Sequence, residues 1–211
     1  MQIYQIALGQ FQRLRIASFW IIAIILCSFV LFTRAGWEHF RPFGFNVEEA
    51  IELFGLGLIG IAILGRLWCT LYIGGRKSSE LVQDGPYSMT RNPLYFFSSV
   101  GAAGVGAQTG SLVMALASAV ITVFILSVTM RREALFLRGE FGASYDAYAA
   151  RVPAFLPKPS LFRDPETLIV LPKRLYRTLS DGLVFFLAMP AFEFVEYLQE
   201  HAMLPILFRM Y

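Results

Sequence analysis

Three stretches of this chain are apolar for long enough to cross a lipid bilayer, and that limits its fold more than any other feature. Ile16–Phe32 runs for about 17 residues, Ala50–Ile73 is longer, and Ser111–Met130 runs for about 20, against the roughly 20 a span requires. Inside lipid the backbone finds no water to bond, so each stretch must be a helix that satisfies its own N–H and C=O groups. Leu94–Ala107 is a shorter run of about 14 residues, tolerable in a membrane if protein covers its ends. Leu179–Leu198 is broken by Pro190 and carries Asp181, Glu193 and Glu196, which fits a fifth span or a tilted, protein-covered helix. The composition agrees, at 56% hydrophobic and 16% charged. The expected fold is an all-α integral membrane protein of four to five transmembrane helices. The third and fourth form a tight hairpin across Gln108-Thr109-Gly110, and a cytoplasmic segment follows them. The first run has no small-residue cleavage site after it, so it reads as an anchor rather than a removable signal.

Charge sets the orientation. Arg13 and Arg15 precede the first run, Arg76, Lys77 and Arg91 lie between the second and third, and Arg131, Arg132, Arg138, Arg151 and Lys158 follow the fourth. Those segments share a side, and the excess of positive charge places it in the cytoplasm. The loop from Thr33 to Glu49, with Arg34 and Arg41 balanced by Glu38, Glu48 and Glu49, falls outside, and Asn46 is placed to cap the helix that follows. The net charge of +3 suits an anionic membrane surface, and the absence of a basic stripe argues against a nucleic-acid partner. Cys27 and Cys69 stand apart in apolar context and read as core residues. His39 and His201 have no neighbouring ligand, so no metal site is expected.

Small residues mark the packing faces. Gly55, Gly57, Gly60 and Gly65 thin the second helix, and Gly101, Gly104 and Gly106 thin the third. Arg66 interrupts the second run, either as a functional residue or as one that snorkels to the head groups.

The most unusual stretch is Gly85–Tyr95, GPYSMTRNPLY. Gly85-Pro86 makes a turn, Asn92-Pro93 makes another, and Pro93 can open a helix at its first position. After Met130 the chain turns charged and aromatic, with Glu133, Phe141, Tyr145 and Tyr148. Gly142 is expected to end or kink the extended helix, and Pro153, Pro157 and Pro159 to enforce an extended tail. These two segments flank one hairpin, so both must lie at its open end. That end gathers Tyr87, Arg91, Asn92, Tyr95, Glu133, Tyr145, Tyr148 and Arg151, a cation beside a carboxylate with aromatic walls.

Here the chain resembles a known family. GPY followed by RNPLY, and then Glu133, Leu137, Phe141-Gly142, Tyr145, Tyr148, Val152-Pro153 and Pro157, look like the signature of the isoprenylcysteine carboxyl methyltransferase and phospholipid methyltransferase superfamily. The likeness covers roughly Arg66–Pro159. It implies a membrane enzyme using S-adenosylmethionine on a lipid or lipidated acceptor, with its active site facing the cytoplasm, as in the bacterial inner membrane. It further implies Arg91 and Glu133 as catalytic residues, and Tyr87, Asn92, Tyr95, Tyr145, Tyr148, Val152, Leu156 and Pro157 as cofactor-binding ones. Three departures stand out: Asn92 where many relatives have His, Ala134 in place of a second glutamate, and Ala154 where arginine is common.

The chemistry favours an acceptor that arrives ionised. Methyl transfer from a sulfonium needs chiefly alignment of the nucleophile, and an anionic oxygen needs a cation such as Arg91 rather than a base. Asn92 cannot titrate near neutral pH, which points toward O-methylation of a carboxylate. Phospholipid N-methylation and lipid phosphate methylation stay open, as does a non-catalytic binding or scaffold protein that keeps the fold. Residues 1–65 are expected to form the N-terminal membrane helices, 66–159 the methyltransferase core, and 160–211 a basic linker and apolar helix. That last segment is free to shape an acceptor groove or a homodimer contact.

Overall fold

The computed structural model describes residues 31–37, 46–74 and 80–210. The expected helix Ile16–Phe32 lies outside them apart from its last two positions, and so do Arg13, Arg15, Arg41, Arg76 and Lys77. The described chain is mostly helical. After a short strand β1 (Thr33–Ala35) come α1 (Val47–Ile73), α2 (Pro86–Met89), α3 (Pro93–Ala107), α4 (Leu112–Phe141) and α5 (Ala143–Arg151). Then follow α6 (Pro172–Leu183), α7 (Ala188–Glu200) and a final strand β2 (Phe208–Met210). Strands β1 and β2 pair in parallel, Thr33 opposite Phe208, a short exception to the helical architecture. Among the described residues, Val47–Ile73, Leu112–Phe141 and Pro172–Glu200 are long and apolar enough to cross a membrane.

The helix ends obey local chemistry. The Asn46 side chain accepts from the Glu48 N–H at 3.2 Å and donates to Glu49 Oε1 at 2.9 Å, so α1 begins at Val47 rather than Ala50. Pro93 opens α3. Ser111 caps α4 by accepting from the Met114 N–H at 3.3 Å. That helix runs on past the apolar stretch to Phe141, where Gly142, with φ of 51°, stops it and lets α5 start in a new direction.

Helix α3 lies between α1 and α4, and α6 lies along α1. Glycine decides how closely α1 and α3 approach: a Cβ on Gly104 would stand 2.7 Å from the Gly55 carbonyl oxygen, and one on Gly55 2.7 Å from Ala107 Cβ. Gly65 is likewise covered by the Phe97 ring. Among the described residues, Gly57 and Gly60 meet nothing within 4 Å, so the α1–α3 contact uses Gly55 and Gly65. At 15 residues, α3 is about 22 Å long and too short for a hydrocarbon layer of roughly 30 Å. Its ends are covered by protein, as that shortness demands. Gln108 is buried and donates through Nε2 to the Glu52 carbonyl of α1 at 2.8 Å.

The C-terminal run differs from expectation in its start and its break. It becomes helical at Pro172 rather than Leu179, taking Lys173, Arg174 and Arg177 into α6. The irregularity, a 3-10 turn over Val184–Leu187, falls ahead of Pro190, because a proline's missing N–H and its ring disturb the turn before it. Thr70 and Thr178 meet hydroxyl to hydroxyl at 3.1 Å, and Gly182 packs on Ile63, which docks α6 on α1. Helix α7 returns to the N-terminal end of α1, where Glu196 carboxylate oxygen comes within 4.8 Å of those of Glu48 and Glu52.

Candidate active site

The site is built where the Gly85–Tyr95 stretch meets the extended segment after α5. Gly85 has φ of 58° and the Tyr72 ring stands where its Cβ would go, so no other residue fits there without strain. Pro86 then starts the single turn of α2, which buries Tyr87 and Ser88. Ser88 Oγ donates to the Gly85 carbonyl at 2.6 Å and accepts from the Arg163 N–H at 3.0 Å, fixing the turn from both sides.

Residues 89–92 lie against residues 153–158 through a set of hydrogen bonds. The Arg91 N–H donates to the Pro153 carbonyl at 2.9 Å, and the Lys158 N–H to the Met89 carbonyl at 2.9 Å. Thr90, fully buried, donates through its hydroxyl to the Phe155 carbonyl at 2.9 Å. Asn92 Nδ2 donates to the Ala154 carbonyl at 2.8 Å. The prolines of 153–157 hold that segment extended, so its carbonyls are available to this edge.

Two aromatic contacts complete the frame. Buried Tyr148 donates through its hydroxyl to the Tyr87 carbonyl at 2.7 Å, locking α5 onto α2. Arg91 Nη1 donates to the Tyr145 hydroxyl at 3.2 Å, and the Tyr145 and Tyr148 rings meet edge to face at 6.3 Å. Across the hairpin, the Tyr95 hydroxyl of α3 donates to Glu133 Oε2 of α4 at 2.9 Å.

The frame encloses a cleft of about 120 Å³ lined by Tyr87, Arg91, Asn92, Tyr95, Glu133 and Tyr148. Ile73, Leu94, Phe136 and Leu137 supply its apolar wall, and Glu80, Leu81 and Val82 its rim. Two polar atoms here are buried with no hydrogen-bond partner among the described residues, the Tyr87 hydroxyl and Arg91 Nε. Buried groups of this kind are costly to leave unsatisfied and mark a place for a ligand. Burial pushes the Tyr87 hydroxyl well above its ordinary range, with Cys69 and Glu133 adding to the effect. Burial also raises Tyr148, against the opposing pull of Arg91. Both phenols are therefore neutral donors at physiological pH.

The sequence-predicted residues divide in position. Tyr87, Arg91, Asn92, Tyr95, Glu133 and Tyr148 face the cleft. Tyr145 stands behind Arg91 and holds it. Val152 is buried beneath Tyr145 and Tyr148, Leu156 is 69% exposed, and Pro157 belongs to the extended segment; none of the three lines the cleft. Arg151 turns outward to Gln83 Oε1 at 2.8 Å. Of the departures, Ala134 packs against the Tyr145, Tyr148 and Val152 cluster, and Ala154 contributes a backbone carbonyl that any residue supplies. Thr90 and Glu80 were not singled out by the sequence. Nothing in the chain marks Glu80, but a Thr one position before an arginine in a rigid turn is the kind of small polar group that bonds neighbouring backbone.

The residues fit the cofactor that the resemblance implies. Arg91 Nε and the Tyr87 hydroxyl are unsatisfied donors suited to carboxylate and hydroxyl oxygens, Glu133 is a carboxylate suited to an ammonium, and Tyr148 and Tyr95 are aromatic faces for a cation.

Comparison with known proteins places this architecture. The chain is 45% identical over 139 residues to the nickel-cobalt-cadmium resistance protein NccN of Alcaligenes xylosoxydans xylosoxydans, a match covering 65% of this chain and 64% of that protein. It is 34% identical over 173 residues to the cobalt-zinc-cadmium resistance protein CzcN of Cupriavidus metallidurans, covering 82% of this chain and 77% of the relative. The chain thus spans just under two thirds of the first relative's length and more of the second's. No solved structure matches. The phospholipid methyltransferase profile matches residues 53–144, which take in most of α1, the Gly85–Tyr95 stretch and the whole α3–α4 hairpin. The chain belongs to the phospholipid methyltransferase family.

Proposed function

We propose that this protein is an S-adenosylmethionine-dependent methyltransferase that acts at the cytoplasmic membrane face and methylates a carboxylate oxygen of a lipid or lipidated acceptor. The observation that carries this reading is the pair of buried, unsatisfied donors, Arg91 Nε and the Tyr87 hydroxyl, in one cleft at the open end of a membrane hairpin. The cofactor would supply an electrophilic methyl group. Arg91, anchored from behind by Tyr145, presents a cation that can hold anionic oxygens in a fork. The Asn92 amide is committed to the Ala154 carbonyl and has no proton to exchange near neutral pH, so it positions and does not act as a base. Glu133, which accepts from the Tyr95 hydroxyl, is the cleft carboxylate suited to the cofactor's ammonium, and an amine acceptor would have to share it for its proton, which favours the O-methyl reading over phospholipid N-methylation.

The names of the relatives fit the same chemistry. Converting a membrane acid to its methyl ester removes an anionic oxygen that would concentrate divalent cations at the surface. A methyltransferase of this kind would contribute to metal resistance by changing the charge of the membrane surface.

Membranes containing the protein, supplied with cofactor labelled in its methyl group, test both the reaction and its type. Label appearing in the lipid fraction and released as volatile methanol by mild base is the expected result. Base-stable label would replace the carboxylate with an amine. No label in any lipid or lipidated product would favour a non-catalytic protein that keeps the fold.

A further inference from the structure

Arg66 is the charged group that the cleft does not use. It sits on α1 seven residues before Ile73, the residue of α1 that lines the cleft. At about 1.5 Å per residue that is roughly 10 Å from the helix end. The 27 residues of α1 make about 40 Å, which overhangs a hydrocarbon layer of roughly 30 Å by about 5 Å at each end. Arg66 therefore lies about one helical turn inside the hydrocarbon edge. Its guanidinium turns toward α3. Nη1 donates to Ser98 Oγ of α3 at 2.7 Å, and Ser98 in turn donates to the Leu94 carbonyl at 2.7 Å.

What Arg66 lacks, among the described residues, is a carboxylate in contact with it. Among the described residues no carboxylate lies within ion-pair distance of it, and its Nε is buried without a hydrogen-bond partner. Asp181 of α6 bears on its charge from beyond that distance, and the Phe185 ring is 6.0 Å from the guanidinium carbon. A half-buried cation in a span, fixed by one neutral hydroxyl, is expensive to keep unless an anion completes it. The surrounding elements say where that anion comes from. Arg66 is flanked by Ser98 of α3 and by Phe185 of the Val184–Leu187 turn, near the cleft end of α1, where the acid group of a lipid is an available anion. Ser98 is one turn along α3 from Leu94, which lines the cleft.

We infer that Arg66, with Ser98 and Phe185, forms an intramembrane binding site for the anionic group of a lipid, placed to draw an acidic acceptor from the bilayer toward Arg91. The acceptor role rests on the function proposed above; the anion site does not. The arrangement also separates substrate from product. Methylation of an acid removes the charge on which an arginine site depends, so a neutral ester loses its hold.

The test uses the full chain in zwitterionic detergent, with dihexanoyl phosphatidic acid and dihexanoyl phosphatidylcholine as probes, and S-adenosylhomocysteine as a separate ligand. The phosphatidic acid should bind the wild type at least tenfold more tightly than the choline lipid. Arg66→Gln, which retains a donor for Ser98, should lose about tenfold, and Arg66→Lys should stay within about threefold of the wild type. Both variants should bind S-adenosylhomocysteine as the wild type does. Equal affinity for the two probes, or an Arg66→Gln variant that binds phosphatidic acid normally, overturns the site. Displacement by millimolar inorganic phosphate would reassign it to a soluble anion and overturn the lipid assignment. Photo-crosslinking of an acyl-diazirine phosphatidic acid to the wild type answers the case in which the variants do not fold. Labelled peptides should come from α1, α3 and residues 184–187, and labelling confined to the open face of α4 overturns the inference. Failure of S-adenosylhomocysteine to bind would remove the function proposed above while leaving the anion result to stand or fall alone.

Discussion

Thr90→Val removes one hydroxyl from the seam that forms the cleft. The side chains are nearly isosteric and Thr90 is fully buried, so the change subtracts the hydrogen bond to the Phe155 carbonyl and creates no cavity. It also takes away the acceptor that the Asn92 N–H meets at 3.4 Å. A buried group left without its partner costs about 1–3 kcal/mol. The loss should appear as local opening rather than global unfolding, because the α1–α3–α4 packing is untouched. At roughly 0.6 kcal/mol per factor of e, it corresponds to about 5- to 150-fold faster exchange. The amide to watch is Lys158, which donates to the Met89 carbonyl beside the deleted bond, with the Arg91 amide as a second reporter. Hydrogen-exchange mass spectrometry in detergent reads both, and Thr90→Ser should stay near the wild type. Protection of Lys158 unchanged within twofold in Thr90→Val would refute the idea that this hydroxyl holds residues 153–158 to the loop.

Other outcomes follow from the same geometry. Arg91→Ala should lower methyl transfer at least 100-fold while the protein stays folded, and Arg91→Lys should recover little of it, since a lysine cannot hold Tyr145 and two acceptor oxygens in one fork; radiolabel transfer measures both. Gly104→Val should destabilise the chain by more than about 1–3 kcal/mol, because its side chain meets the Gly55 backbone; thermal unfolding in detergent measures the loss. Tyr87 and Tyr148 have folded-state pKa values raised above the ordinary 10.0, so the folded state keeps protons that the unfolded state gives up. Their contribution to stability is complete below pH 10 and declines as pH rises beyond it, and Tyr148→Phe should flatten that decline in a pH series of unfolding midpoints.

Much of the helical architecture was legible because lipid leaves so few options. A run that must satisfy its own backbone is a helix, and Asn46, Pro93, Ser111 and Gly142 mark ends by chemistry that needs no tertiary context. The seam was legible only in part. Arg91 and Glu133 were identifiable from the two ends of one hairpin. The pairing of 89–92 with 153–158 was not, because it runs through backbone carbonyls whose residue types carry no signal, Ala154 among them. The resemblance implied cofactor roles for Val152 and Leu156, but Val152 is buried against Tyr145 and Tyr148 and Leu156 is exposed, while the carbonyls of the segment face the loop. Of the glycines on α1, Gly55 and Gly65 meet α3, whereas Gly57 and Gly60 meet no described residue. Composition shows that Gly57 and Gly60 are small, but only the position of α3 shows which small residues meet a neighbour.

Calorimetric titration of the purified protein with S-adenosylhomocysteine tests the cleft most directly. Saturable binding at one site per chain, lost in Arg91→Ala and weakened in Tyr87→Phe, is the predicted result. No binding at millimolar ligand, or binding that both substitutions leave unchanged, would contradict the assignment of the cleft at the open end of the hairpin as the cofactor site.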